Sequence, residues 1–137
     1  MQNFSTLKSY AHKVGANFWH VTLVTKYRYA MFGKFKQKSL IEACLRNISR
    51  AWQIAIHEIA VMPDHVHLLV SFPRGMSDSK AVMLLKGGSA YRFFKNSPNC
   101  RLRLPRGHLW SAGGCMVTVG YNEISTVINY IRNQAPA

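Results

Sequence analysis

Apolar and polar positions alternate in "NFWHVTLVTKYR", and its β-branched and aromatic residues strengthen the prediction of a strand over roughly Ala16 to Tyr27. The period then lengthens. From Ser39, a candidate cap, Leu40, Ile41, Cys44, Leu45, Ile48 and Trp52 recur at helical spacing, which predicts a helix ending at about Trp52. "IAIHEIAVMPDHVHLLVSF" holds two β-rich runs parted by Met62, Pro63 and Asp64, the pattern of an antiparallel pair. Helical spacing returns in "SDSKAVMLLKGGSAYRFF" through Val82, Leu85, Ser89 and Phe93, after a Ser77 or Asp78 cap. Gly87 and Gly88 interrupt it. Each mid-helix glycine costs about 1 kcal/mol relative to alanine, so the pair signals either a close approach to the backbone or a break. "PNCRLRLPRGH" reads as a basic loop and "CMVTVG" as a short strand. The chain closes with a helix over about 122–135, capped by Asn122 and carrying Ile124, Val127, Ile128 and Ile131 as its apolar stripe.

The order β-α-β-β-α-β, then a helix, is the split-βαβ pattern. It predicts an α+β, ferredoxin-like fold: one antiparallel sheet with two helices on one face and a further C-terminal helix. At 137 residues, with no internal repeat or long linker, the chain reads as a single domain over 1–137. Its apolar runs fall short of the roughly 18 residues a membrane span needs, and "MQNFSTLKSYAHK" lacks a signal-peptide core. A cytoplasmic protein without a membrane partner is therefore expected. Cys44, Cys100 and Cys115 are too few and too irregularly spaced for a disulfide framework or a cysteine-based zinc site.

Charge sharpens the reading. Eighteen Lys and Arg against five Asp and Glu give a formal net charge of +13, which favours a polyanionic partner. The cations recur in groups, Lys26 and Arg28, then Lys34, Lys36 and Lys38, then Arg101, Arg103 and Arg106. Tyr27, Tyr29, Phe32 and Phe35 lie among the first two groups. Cations can follow a phosphate backbone while aromatic rings stack on unpaired bases, a combination suited to single-stranded nucleic acid.

Within "MPDHVHLL", strand alternation turns His65 and His67 to one face, with Cα atoms about 6.6 to 6.8 Å apart, while Val66 faces the other. Two imidazoles on one face can share a metal ion or simply mark a polar face. Five carboxylates are too few to favour an all-acidic two-metal site, although Glu58 or Asp64 could contribute. On the last helix, Tyr130 and Gln134 are four residues apart and flank the apolar stripe, so a helix packed near the sheet could present both. A tyrosine there is equally readable as a ring packed at the core edge.

"MPDHVHLL" followed by "YIRNQ" resembles the IS200/IS605-type single-tyrosine HUH transposases, the group that includes REP-associated members; the U position is Val66 here. "HVTLVTKYRYAMF" is similar to the family's first strand and basic segment, "LLKGGSAYRFF" to its "LKG" helix, and "LWSAGGCMVTVG" to its last strand. The chain departs from the family pattern at Gly114 and Cys115, where a bulky aromatic is usual, and in doubling the glycine of "LKG".

The resemblance implies a transposase that nicks and rejoins single-stranded DNA at insertion-sequence ends through a 5′-phosphotyrosine. It implies Tyr130 as nucleophile, with His65, His67 and Gln134 as protein ligands of Mg²⁺ or Mn²⁺. Tyr121 is the rival nucleophile; no general base is named. The implied partners are DNA with a hairpin near the element end and a second subunit, the active sites often being shared within a homodimer. Lys26, Arg28, Lys34, Lys36, Arg101, Arg103 and Arg106 are the expected DNA contacts. Two other readings stand beside this one: a non-catalytic RNA-binding module, and a metal-independent endoribonuclease of ferredoxin-like fold using histidine as acid and base.

Overall fold

The computed structural model describes residues 17–134. The predicted first strand is β1, Phe18–Val24; Ala16 lies outside the described residues. It ends earlier than its alternation suggests because the chain turns sharply. Tyr27 and Arg28 take left-handed backbone conformations, with φ of 57° and 53°, in the short turn Lys26–Arg28. Fully buried Thr25 anchors that turn, its hydroxyl donating to the carbonyls of Tyr29 and Asp64 at 2.8 and 3.0 Å.

Helix α1, Phe35–Ala51, starts one turn before the expected Ser39 cap. Phe35, Lys36, Gln37 and Lys38 accept helical geometry without a capping side chain, and the Lys38 amide donates to the Lys34 carbonyl. Ile41, Cys44, Leu45 and Ile48 are buried as the spacing predicts. Trp52 is outside the helix and exposed, with Lys80 Nζ 5.5 Å from its ring centroid. Strands β2, Ala55–Val61, and β3, His65–Ser71, form the expected antiparallel pair, closed by the Met62 amide donating to the His65 carbonyl.

Helix α2, Asp78–Asn96, is capped by Ser77, whose hydroxyl accepts from the Lys80 amide at 3.1 Å. It runs unbroken through both glycines. A Cβ on Gly88 would lie 2.3 Å from Ile48 Cγ1, so this glycine lets α1 and α2 approach, whereas a Cβ on Gly87 would meet nothing within 4 Å. In the basic loop, residues 98–103 form a short 3₁₀ helix, and Leu104 and Leu109 pin the segment into the core. Strand β4, Cys115–Val119, pairs with β1. The final helix, α3, is Ile124–Gln134. Asn122 does not cap it; it lies in a 3₁₀ turn over Tyr121–Glu123, where the Glu123 carboxylate accepts from the Gly120 amide at 3.1 Å.

All pairings are antiparallel and the strand order is β2-β3-β1-β4, the ferredoxin-like arrangement. One sheet face, bearing Val21, Leu23, Val66, Leu68 and Val70, packs against α1 and α2. The other carries a smaller core in which Phe18, Ala60, Leu69 and Val119 meet Ile124, Ile128 and Ile131 of α3. That opposite face is the one on which His65 and His67 lie. Each of the three isoleucines is fully buried and contributes up to about 1.5–3 kcal/mol, so α3 is held on the histidine face of its own chain. No helix among the described residues is long and apolar enough to cross a membrane.

Candidate active site

His65 opens β3, directly after the turn at Asp64. Its Nδ1 lies 2.7 Å from Asp64 Oδ1, while Arg28 Nε and Nη2 each lie 3.2 Å from Asp64 Oδ2. The His65 hydrogen bond, helped by the Arg28 guanidinium, holds the Asp64 carboxyl below its usual range despite partial burial. A carboxylate only accepts, so His65 donates from Nδ1, and the neutral ring then presents its lone pair at Nε2.

His67, two residues on, is buried beside β1. His67 Nδ1 is 3.1 Å from His20 Nε2 and 3.3 Å from Thr22 Oγ1. Burial, then the neighbouring His65 and His20, push the His67 pKa down to about 4, and burial also lowers that of His20. The ring centroids of His65 and His67 are 5.0 Å apart. Both rings thus have Nδ1 engaged by a neighbour, leaving Nε2 as the available nitrogen of each. This is the donor chemistry of a histidine pair supported by outer hydrogen bonds, and it fits a divalent cation.

α3 brings Tyr130 to this pair. Its ring stands edge-on to His67 and His20, with centroids 5.6 and 5.8 Å away, and it is 49% exposed, so the phenol is open to a substrate. Arg132, on the same helix, donates from Nε to Glu58 Oε2 of β2 at 3.2 Å, fastening the helix to the sheet. The two carboxylates considered as extra ligands therefore have other work: Glu58 receives Arg132, and Asp64 orients His65. Among the described residues no group of three His, Cys, Asp or Glu side chains is poised to hold a metal. A third donor from the described residues would be of another type. Gln134, the last residue of α3, is one turn beyond Tyr130, and no hydrogen bond among the described residues joins it to either histidine. Tyr121 lies in the turn before α3.

The cations sort by position. Val24 pairs with His65, so the Lys26–Arg28 turn that follows β1 sits at the His65 end of the sheet. The loop after α2 returns to the same end, where the Lys26 amide donates to the Leu109 carbonyl and Arg103 lies over the Tyr29 ring at 4.5 Å. Arg101 and Arg106, with Lys95 and exposed Tyr91, line a cleft of about 640 Å³ between α2 and this loop. Lys34, Lys36 and Arg103 border a neighbouring one of about 470 Å³. Of the expected stacking rings, Tyr27 and Phe35 are exposed, but Phe32 is buried in the core against Phe93 and Trp110 and cannot meet a base.

The family profile described as "Transposase IS200 like" matches residues 13–134. The chain belongs to the IS200-like transposase family. It is 32% identical over 117 residues to the ISDra2 transposase TnpA of Deinococcus radiodurans, covering 85% of this chain and 82% of that protein. To the transposase for insertion sequence element IS200 of Salmonella typhimurium it is 28% identical over 127 residues, covering 93% and 82%. A crystal structure from Deinococcus radiodurans R1, assigned as a transposase, superposes with a TM-score of 0.69 at 30% identity, covering 89% of this chain and 93% of that one. A REP-associated tyrosine transposase bound to a REP hairpin shares the fold, with a TM-score of 0.61 at 17% identity over 84% and 64%. Family membership makes this an enzyme of DNA transposition.

Sequence reasoning missed His20 and Thr22 as members of the site. Alternation puts both on one face of β1, but only the β1–β3 register, with Thr22 opposite His67, reveals which face they share.

Proposed function

We propose that this IS200-like transposase nicks and rejoins single-stranded DNA with Tyr130 as nucleophile and His65 and His67 as ligands of Mg²⁺ or Mn²⁺, Gln134 being the third protein donor. The observation that carries the reading is the edge-on placement of Tyr130 against His67, whose Nδ1 is already engaged by His20 and Thr22. When bound, the divalent ion supplies Lewis-acid polarisation of the scissile phosphate. The Tyr130 oxygen attacks phosphorus, a 3′-hydroxyl leaves with a proton, and the downstream strand stays joined to the protein through its 5′ phosphate. Because one phosphodiester replaces another, attack by a different 3′-hydroxyl reseals DNA without an external energy source.

Lys26, Arg28, Lys34, Lys36, Arg101, Arg103 and Arg106 follow the phosphate backbone in this scheme. Lys26, Arg28 and Arg103 lie at the His65 end of the sheet, which supports delivery of a strand toward the histidines. The fold shared with a relative held on a REP hairpin supports a hairpin near the cleavage site as the recognised element. The working enzyme in this reading is a homodimer.

The test is incubation with hairpin-bearing single-stranded DNA and Mg²⁺, with and without EDTA, followed by denaturing electrophoresis. A covalent protein–DNA band that requires metal is expected. On a matching single-stranded RNA run beside it, cleavage that persists in chelator and does not occur on the DNA would instead identify the endoribonuclease, and RNA binding with cleavage of neither strand would identify the RNA-binding module.

A further inference from the structure

His20 lies on the same face of β1 as Thr22, and Thr22 is opposite His67 in the antiparallel register while His20 is opposite Leu69. The His20 ring therefore reaches His67 along the diagonal of the pair, to 3.1 Å from Nδ1, and it also forms one wall of the Tyr130 contact, with ring centroids 5.8 Å apart. It touches both the inner histidine and the tyrosine. From this geometry we infer that His20 is a positioning residue. It holds His67 in the tautomer and orientation needed for metal binding through Nε2, a role that rests on the metal-dependent reading above.

For His67 Nε2 to offer a lone pair, Nδ1 must carry the proton and donate it. Its two neighbours there are His20 Nε2 and Thr22 Oγ1. A hydroxyl rotates to donate or accept, so Thr22 alone admits both tautomers of His67. The imidazole of His20 stands at the shorter distance, fixed by its strand, and with its own proton on Nδ1 it offers Nε2 as the acceptor that keeps the His67 proton on Nδ1. His65 has the corresponding support from Asp64, so the two proposed ligands are held by different elements: one by the turn before β3, the other by β1.

Glutamine places an acceptor at about the reach of Nε2, phenylalanine retains a ring beside Tyr130 but offers no acceptor, and asparagine is polar but too short. Mn²⁺ affinity of the full chain, measured by calorimetric titration without DNA, separates them, with His67→Ala as the reference for loss of a ligand. His20→Phe and His20→Asn are expected to bind about 10–100-fold more weakly than wild type, and His20→Gln within about threefold of it. Should His20→Phe fail to fold, His20→Asn carries the comparison. Wild-type affinity in the Phe or Asn variant, or a Gln variant as weak as they are, would overturn the role of His20 and leave the metal reading standing. Absence of Mn²⁺ binding by the wild-type protein, or wild-type affinity in His67→Ala, would overturn both.

Discussion

Asp64→Asn isolates one hydrogen bond of the proposed metal site. Asp64 offers two oxygens to two donors, Oδ1 to His65 Nδ1 at 2.7 Å and Oδ2 to Arg28 at 3.2 Å. Asparagine has one acceptor oxygen and one NH₂. Either the oxygen faces His65 and the amide confronts the Arg28 donors, or the amide donates to His65 Nδ1 and drives the proton to Nε2, where it blocks a metal. The turn itself should survive, because the Asp64 carbonyl still accepts from the Thr25 amide and hydroxyl, each at 3.0 Å. Arg28 is exposed, with a side-chain accessibility of 66%, so losing its ion pair costs at most about 1 kcal/mol of stability. Loss of an outer partner of a ligating histidine typically costs 10–100-fold in metal affinity, about 1.4–2.7 kcal/mol. Mn²⁺ titration, paired with thermal melts in EDTA, should therefore show a large binding defect and a small stability change. Arg28→Ala, which leaves the carboxylate for His65, should weaken binding less. An Asp64→Asn protein that melts normally and binds Mn²⁺ as tightly as wild type would refute the reasoning.

Three further outcomes are expected. Gly87→Ala should stabilise the protein by up to about 1 kcal/mol in urea unfolding, whereas Gly88→Ala should destabilise it by about 1–2 kcal/mol; its Cβ would meet the Cβ, Cγ1 and Cδ1 of Ile48, a β-branched side chain with little rotamer freedom in a helix. Burial lowers the His57 pKa to about 4, so between pH 6.5 and 4 the unfolded chain takes up a proton that the folded ring refuses, and stability falls as pH falls through that window. Comparing urea unfolding of wild type and His57→Gln at pH 7 and pH 4.5 should show a smaller acid loss in the variant, the His57 share being at most about 3 kcal/mol. Neutralising Arg101, Arg103 and Arg106 together should reduce the salt slope of single-stranded DNA binding by up to about 2, at about 0.7 per phosphate contact; an unchanged slope removes that loop from the interface.

Much of the architecture was legible because alternation and helical spacing report burial directly. β2, β3 and the α3 stripe follow their apolar patterns, and the order of the predicted elements led to the ferredoxin-like sheet. Element ends were harder to read. α1 starts at Phe35 because four ordinary helix formers need no capping signal, and β1 stops at Val24 because Thr25 and two left-handed residues turn the chain. The glycine pair was ambiguous in sequence since only packing separates Gly88, against Ile48, from Gly87, in open space. At the site, alternation put His65 and His67 on one face, and the resemblance pointed to Tyr130, which the fold brings beside His67. His20 and Thr22 depended on strand register, and the roles of Asp64 and Glu58 on which side chains reach them; none of these is encoded in local periodicity.

The central claim is that Tyr130 becomes joined to a DNA 5′ phosphate. Proteolysis of the adduct formed on hairpin-bearing single-stranded DNA with Mg²⁺, followed by mass spectrometry, reads the linkage directly. The expected result is a nucleotide attached through its 5′ phosphate to the peptide containing Tyr130, and no adduct from Tyr130→Phe. A nucleotide on Tyr121 or any other residue, or an adduct that survives Tyr130→Phe, would contradict it.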